Sequence, residues 1–269
     1  MKTVQKILFL LLVMTFCSCE EVIDVDLQES EPRLVVEASI IWEKGTRGNT
    51  QSINLTTTTP YFDSGISPAK DALVQVISSS GEIYEFNELE AGVYVNTDFL
   101  PELNKEYQLT IQYNNEVYTA SESMFPVVDL EEVEQSENGG FGGNDIELKA
   151  YFTDPAEIPN YFLFKFFFED LSLQIYDDEF TNGNRTFAYY SNEDLKVGDE
   201  VNFKIQGISE IFYEYIYILS SQAGENNGGP FQTQPTTVRG NIINESNPEN
   251  FAFGYFRLSQ SSQLDYTIQ

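Results

Sequence analysis

The chain has 269 residues, of which 43 are acidic, 14 basic and none histidine, for a net charge of −29. Without imidazole there is no Ser-His-Asp or Cys-His catalysis and no His-ligated zinc or haem, and the excess negative charge repels phosphate backbones, so no nucleic-acid partner is expected. Hydrophobic residues at 41% and aromatics at 14% make the chain too apolar for disorder and rich in strand formers, at a length that suits one or two domains.

Residues 1–18 have the form of an export signal. Lys2 and Lys6 supply a positive start, and residues 7–16 form an apolar run of ten broken only by Thr15. A bilayer span needs about 20 apolar residues, so this run suits a signal peptide and not a membrane helix. It ends in Phe16-Cys17-Ser18-Cys19. A small residue just before a Cys in that place resembles the bacterial lipobox, with Cys19 as the acylated residue after cleavage. Cleavage there would leave Cys19 as the only Cys, so no disulfide is expected. It would also remove two lysines and no acid, taking the net charge from −29 to −31. Residues 19–31 then read as an acidic tether, with six acids and no base in residues 20–31. A solvated spacer is one reading. The other is a surface-export signal carried by Glu20, Glu21 and Asp24, because acids directly after a lipidated Cys resemble the signal of Bacteroidota surface lipoproteins.

From residue 33 the pattern is that of strands. Seven short runs, at residues 34–41, 52–57, 72–78, 82–86, 92–95, 107–113 and 117–120, recur at roughly ten-residue spacing. Tyr107, Leu109, Ile111 and Tyr113 alternate with Gln108, Thr110 and Gln112, giving one buried and one wet face. Residues 32–126 therefore predict an immunoglobulin-like β-sandwich. Trp42, the single tryptophan, reads as a core or rim anchor. Tyr61, Phe62 and Asp63 form a candidate ligand or partner loop, with a strand-end packing role as the alternative.

Residues 127–269 predict a second β-rich domain with one short helix. The Gly-rich stretch at 139–143 lacks the helix N-terminus and Lys of a phosphate loop, so a hairpin tip is expected. The run at 161–168, YFLFKFFF, is apolar on both faces except at Lys165, as in a strand covered on both sides. Ser209 can cap a helix in which Phe212, Tyr215 and Leu219 recur at helical spacing, ending at Gly224. Residues 177–184 are oxygen-rich but lack the spacing of a calcium loop. No metal, cofactor or catalytic residue is expected, and the chain is read as a non-enzyme.

Several segments together resemble one family, the Bacteroidota lipoproteins grouped as "domain of unknown function 4249". The matching pieces include Cys19-Glu20-Glu21-Val22-Ile23-Asp24, Glu31-Pro32-Arg33-Leu34-Val35, Thr57-Thr58-Thr59-Pro60-Tyr61-Phe62-Asp63, Gly92-Val93-Tyr94, Phe152-Thr153-Asp154-Pro155, Gly228-Gly229-Pro230-Phe231 and Gly254-Tyr255-Phe256. Arg257 and the Ser/Gln-rich end depart from the family pattern. The resemblance implies an outer-membrane, surface-exposed lipoprotein, anchored through Cys19 and acting as a binding or docking partner of a TonB-dependent barrel transporter in nutrient uptake. The alternative is a structural accessory lipoprotein of a larger outer-membrane assembly or secretion complex. No catalytic residues come with the family.

Overall fold

The computed structural model describes residues 31–60, 65–139, 143, 145–156, 158–223 and 236–269. The fold is mainly β, and the elements discussed here all lie in one compact unit, Pro32–Gln269. Its first half holds β1 (Leu34–Glu43), β2 (Gln51–Thr57), β3 (Ser67–Pro68), β4 (Leu73–Ser78), β5 (Ile83–Glu90), β6 (Val93–Asn96), β7 (Glu106–Tyr113) and β8 (Glu116–Phe125). The second half holds β9 (Glu132–Gly139), β10 (Asp145–Thr153), β11 (Tyr161–Phe167), β12 (Leu171–Asp177), β13 (Arg185–Ser191), β14 (Glu200–Ile208), helix α1 (Glu210–Ala223), β15 (Ile243–Asn244) and β16 (Phe253–Thr267).

In the first half the period-two pattern becomes a core. Tyr107, Leu109 and Ile111 of β7 are buried while Glu106, Gln108 and Gln112 face outward. Hydrogen-bonded order places β1-β2-β6 on one side and β5-β4-β7-β8 on the other. This is the immunoglobulin-like arrangement expected from the sequence. Ile40, Ile53, Leu55, Tyr94 and Tyr118 fill the interior, and Phe99 packs between Tyr84 and Tyr107 at ring separations of 4.4 and 5.4 Å. Trp42 lies partly buried against this core, its indole N–H donating to the Thr46 carbonyl.

Two pairings close the sandwich into a ring. β5 pairs with β6 across an irregular register at Glu88 and Glu90. On the opposite side β16 runs parallel to both β1 and β8, with Ala38 opposite Phe256 and Met124 opposite Leu258. Free strand edges invite pairing with other chains, and closure removes them. Gly254 makes the insertion sterically feasible. Its φ is +92°, and a Cβ there would sit 2.0 Å from the Val36 carbonyl oxygen.

The second half is layered about β11. Sheet β12-β11-β14-β16 carries the three-stranded sheet β13-β10-β9 on one face. Phe162, Phe164 and Phe166 point into that core with Leu148, Phe152, Tyr190 and Phe203. The other face of β11 presents Leu163 to α1, where Phe212, Ile208 and Tyr255 complete a smaller cluster. Coverage on both faces is what the continuous apolar run of β11 requires. The β9–β10 pair flanks the expected hairpin tip; residues 140–142 and 144 lie outside the described residues.

Two strands of this half have no sequence signal, for physical reasons. β9 reads EVEQSENG, a poor strand former in isolation. It is an edge strand, and Arg185 at the start of β13 ion-pairs with Glu131 and Glu132 across β10. β13 follows a turn-rich loop, and its alternation of buried Ala188 and Tyr190 is short. Within the single unit Pro32–Gln269, Met124 packs in the first core and Val127 in the second. β16 contributes to both, through Phe256 and Leu258 in the first and through Leu264 and Tyr266, which pack against the second.

Candidate ligand cleft and docking edge

One continuous face of the large sheet is polar at its centre. Cross-strand register puts Ser39 of β1 opposite Arg257 of β16, and Lys165 of β11 opposite Lys204 of β14. Arg257 also reaches Gln206 of β14 through its side chain. A cleft of about 640 Å³ opens on this face, lined by Ser39, Asn54, Phe212, Tyr215, Tyr255 and Arg257 among others. That volume lies within the range of small-molecule sites. The walls are aromatic: Tyr255 packs edge-on to Phe212 at 4.8 Å and tilted against Tyr215 at 5.0 Å.

Helix α1 makes the roof. Ser209 caps it, accepting from the Phe212 amide at 3.2 Å while donating to Glu122 at 2.7 Å. The cap fixes the helix start against β8 and places Phe212 over Arg257, with the guanidinium 5.0 Å from the ring centre. Burial raises the Glu122 carboxyl above its ordinary range despite two hydrogen bonds to it.

Arg257 is only 6% exposed. Its Nε donates to Ser39 Oγ at 3.0 Å, and its Nη1 donates to Gln206 Oε1 and Ser259 Oγ, each at 3.1 Å. All three acceptors are neutral. Burial lowers its pKa to about 10, with no carboxylate offsetting the effect. Lys165 is lowered to about 8, first by burial and then by Arg257 and Lys204. Of the acids on this face, Glu43 is engaged by Lys204 at 3.5 Å and by Gln263 at 2.9 Å, and Glu37, exposed on β1, lines the rim of the cleft.

The Ser/Gln-rich run of β16 has a structural use nearby. Gln260 Oε1 accepts from the Val127 amide at 3.2 Å and Ser262 Oγ from the Leu130 amide at 3.4 Å. The connection between the halves thus lies against β16 with its backbone donors satisfied. Gly207 lets it pass, since a Cβ there would lie 1.9 Å from the Pro126 carbonyl oxygen.

A second surface stands at the end of the large sheet. β12 is its terminal strand in the hydrogen-bonded order among the described residues. Leu171 and Leu173 on it are 49% and 48% exposed, and Tyr217 on α1 is 63% exposed. Leu173, Ile216 and Tyr217 line a shallow groove between strand and helix.

Cys19, Glu20, Glu21, Asp24, Tyr61, Phe62 and Asp63 all lie outside the described residues. What the sequence does mark is Lys165, as the polar exception in an apolar strand, and Arg257, as a departure from the family pattern. Their meeting on one face depends on the long-range pairing of β11, β14 and β16, which has no local signal. Among the described residues no helix is long and apolar enough to cross a membrane.

The family profile described as "Domain of unknown function (DUF4249)" matches residues 20–265. The chain belongs to the DUF4249 family. None of the curated proteins matches this DUF4249 protein. Among solved structures it is similar to a two-domain fibronectin type III segment of chicken tenascin, at 13% identity over 58% of this chain and 83% of that one, with a TM-score of 0.20. A cytokine receptor complex matches at 9% identity over 65% and 82%, with a TM-score of 0.26. The chicken interferon gamma receptor alpha chain matches at 11% over 65% and 88%, with a TM-score of 0.20. At such scores these likenesses carry no functional weight, and the immunoglobulin-like assignment rests on strand order.

Proposed function

We propose that this DUF4249 protein is an outer-membrane lipoprotein, anchored by acylation of Cys19 and exposed at the cell surface, that docks on a TonB-dependent transporter and assists nutrient uptake. It acts by binding and not by catalysis. The observation that carries the docking role is the terminal strand β12, whose exposed Leu171 and Leu173 continue into Tyr217 of α1. An open sheet edge beside exposed apolar side chains is the kind of surface a protein partner covers. Anchoring is supported by the lipobox-like Phe16-Cys17-Ser18-Cys19, and surface export by Glu20, Glu21 and Asp24. Multiple acyl chains hold a protein durably, at about 0.8 kcal/mol per buried methylene.

Fractionation and affinity isolation test this directly. Cys19→Ala is expected to move the protein from the membrane to the soluble fraction. The wild-type lipidated protein is expected to co-isolate a TonB-dependent barrel, and Leu173→Asp to reduce that recovery. Retention of Cys19→Ala in membranes would exclude the anchor. Recovery of insertase or secretion subunits in place of a barrel would favour a structural accessory role.

A further inference from the structure

We infer that the cleft beneath α1 binds a small organic carboxylate with an apolar or ring-shaped body, anchored by Arg257 and assisted by Lys165. This site goes beyond the docking role and stands without it, since it rests only on residues of the cleft and its sheet face.

The first ground is the state of Arg257. A cation held away from water normally has a counter-charge, because desolvation of an unpaired ion costs several kcal/mol. Arg257 is 6% exposed and its hydrogen-bond partners are the neutral Ser39, Gln206 and Ser259. Its Nη2 donates no hydrogen bond among the described residues. These neutral contacts occupy Nε and Nη1 and leave the Nη2 hydrogens for a ligand. A charged N–H donor held in that way suits a carboxylate oxygen.

The second ground is where the chain places its few cations. Three of its 14 basic residues, Lys165, Lys204 and Arg257, share this sheet face in a protein with 43 acids. Glu43 answers Lys204, whereas Lys165 has no ion pair among the described residues. Lys165 is lowered first by its burial and then by the like charges of Arg257 and Lys204. A bound anion relieves that repulsion.

The third ground is the shape and lining. Phe212, Tyr215 and Tyr255 give the cleft apolar walls next to the guanidinium, and its volume of about 640 Å³ exceeds what a bare inorganic anion fills. An anionic head on Arg257 with an apolar body against the rings uses both features.

The test compares two probes of nearly equal shape, phenylacetate and its neutral amide phenylacetamide, titrated into the purified full chain by calorimetry and ligand-observed NMR. Saturable one-to-one binding of phenylacetate, about tenfold tighter than phenylacetamide, is expected from a charge-assisted contact with Nη2 of Arg257. Arg257→Gln should abolish the preference. Lys165→Gln lies on a half-buried site that tolerates a neutral polar group; it should weaken phenylacetate about threefold and leave phenylacetamide unchanged. Circular dichroism confirms that each variant is folded. Equal binding of the two probes, no binding of either, or a preference that survives Arg257→Gln overturns the assignment. Should Arg257→Gln not fold, the wild-type comparison and Lys165→Gln decide it. None of these readouts involves a transporter, so a failed docking role leaves them unaffected.

Discussion

Asp154 shows how a single side chain in this protein couples structure to pH. It lies in the Phe152-Thr153-Asp154-Pro155 stretch, is buried, and accepts from the Gly183 amide at 3.2 Å through Oδ2, while its Oδ1 has no hydrogen-bond partner. Burial, followed by the nearby Asp178, raises its pKa against the lowering effect of Gly183. A carboxyl raised on folding keeps its proton where the unfolded chain has lost it. Its contribution is therefore favourable at low pH, and stability falls as pH rises from the ordinary aspartate value through the raised one. Asp154→Asn should flatten that fall, giving a smaller stability loss in urea denaturation as pH rises above the ordinary aspartate value. An unchanged pH slope would remove Asp154 from this role. The sequence shows Asp154 only as part of a short motif; its hydrogen-bond partners Gly183 and Asn184 come from the 177–184 loop, which no spacing announces.

At the scale of elements, β16 decides most. The sequence reveals its start at Phe253, because Gly254-Tyr255-Phe256 is visibly strand-like, and the seven short runs of the first half are legible through their period-two alternation. What the sequence does not reveal is where β16 goes. It inserts between β1 and β8, pairs with β14 farther along, and carries Ser and Gln where a buried strand usually carries aliphatics. Those polar side chains are explained only by Val127, Leu130 and Arg257, groups distant in sequence that need partners. Gly254 is the point at which this insertion is most constrained. Gly254→Ala must clear the Val36 carbonyl from a φ of +92°, and should lower stability by more than about 2 kcal/mol. Chemical denaturation would measure it; a loss below about 0.5 kcal/mol would mean that β16 can shift away from β1 without consequence.

For the whole molecule, charge and architecture point the same way. The strongly acidic chain disfavours anionic lipid headgroups, so the attachment proposed above would rest on acyl chains at Cys19 and not on its surface charge. Ring closure by β16 pairs β1 with β8 through one strand, and the hydrogen-bonded order of the large sheet ends at β12 and at the two-residue β15 among the described residues. The cations are few, and three of them lie together on the face roofed by α1. On the two readings proposed above, one surface serves a protein partner and the other a small ligand. Composition makes the absence of histidine chemistry legible from sequence, and the lipobox-like segment carries the proposed anchoring. The two surfaces are not, because each is assembled from β11, β12, β14, α1 and β16 only after long-range pairing.

Cross-linking mass spectrometry on intact cells tests the docking role most directly. Photo-reactive residues at positions 173 and 217, on the exposed β12–α1 surface, should give cross-links to a TonB-dependent barrel, and the same group at exposed Glu82 on the opposite half should give few or none. Cross-links from 173 and 217 only to insertase or secretion components, or no partner above the level seen from position 82, would contradict it.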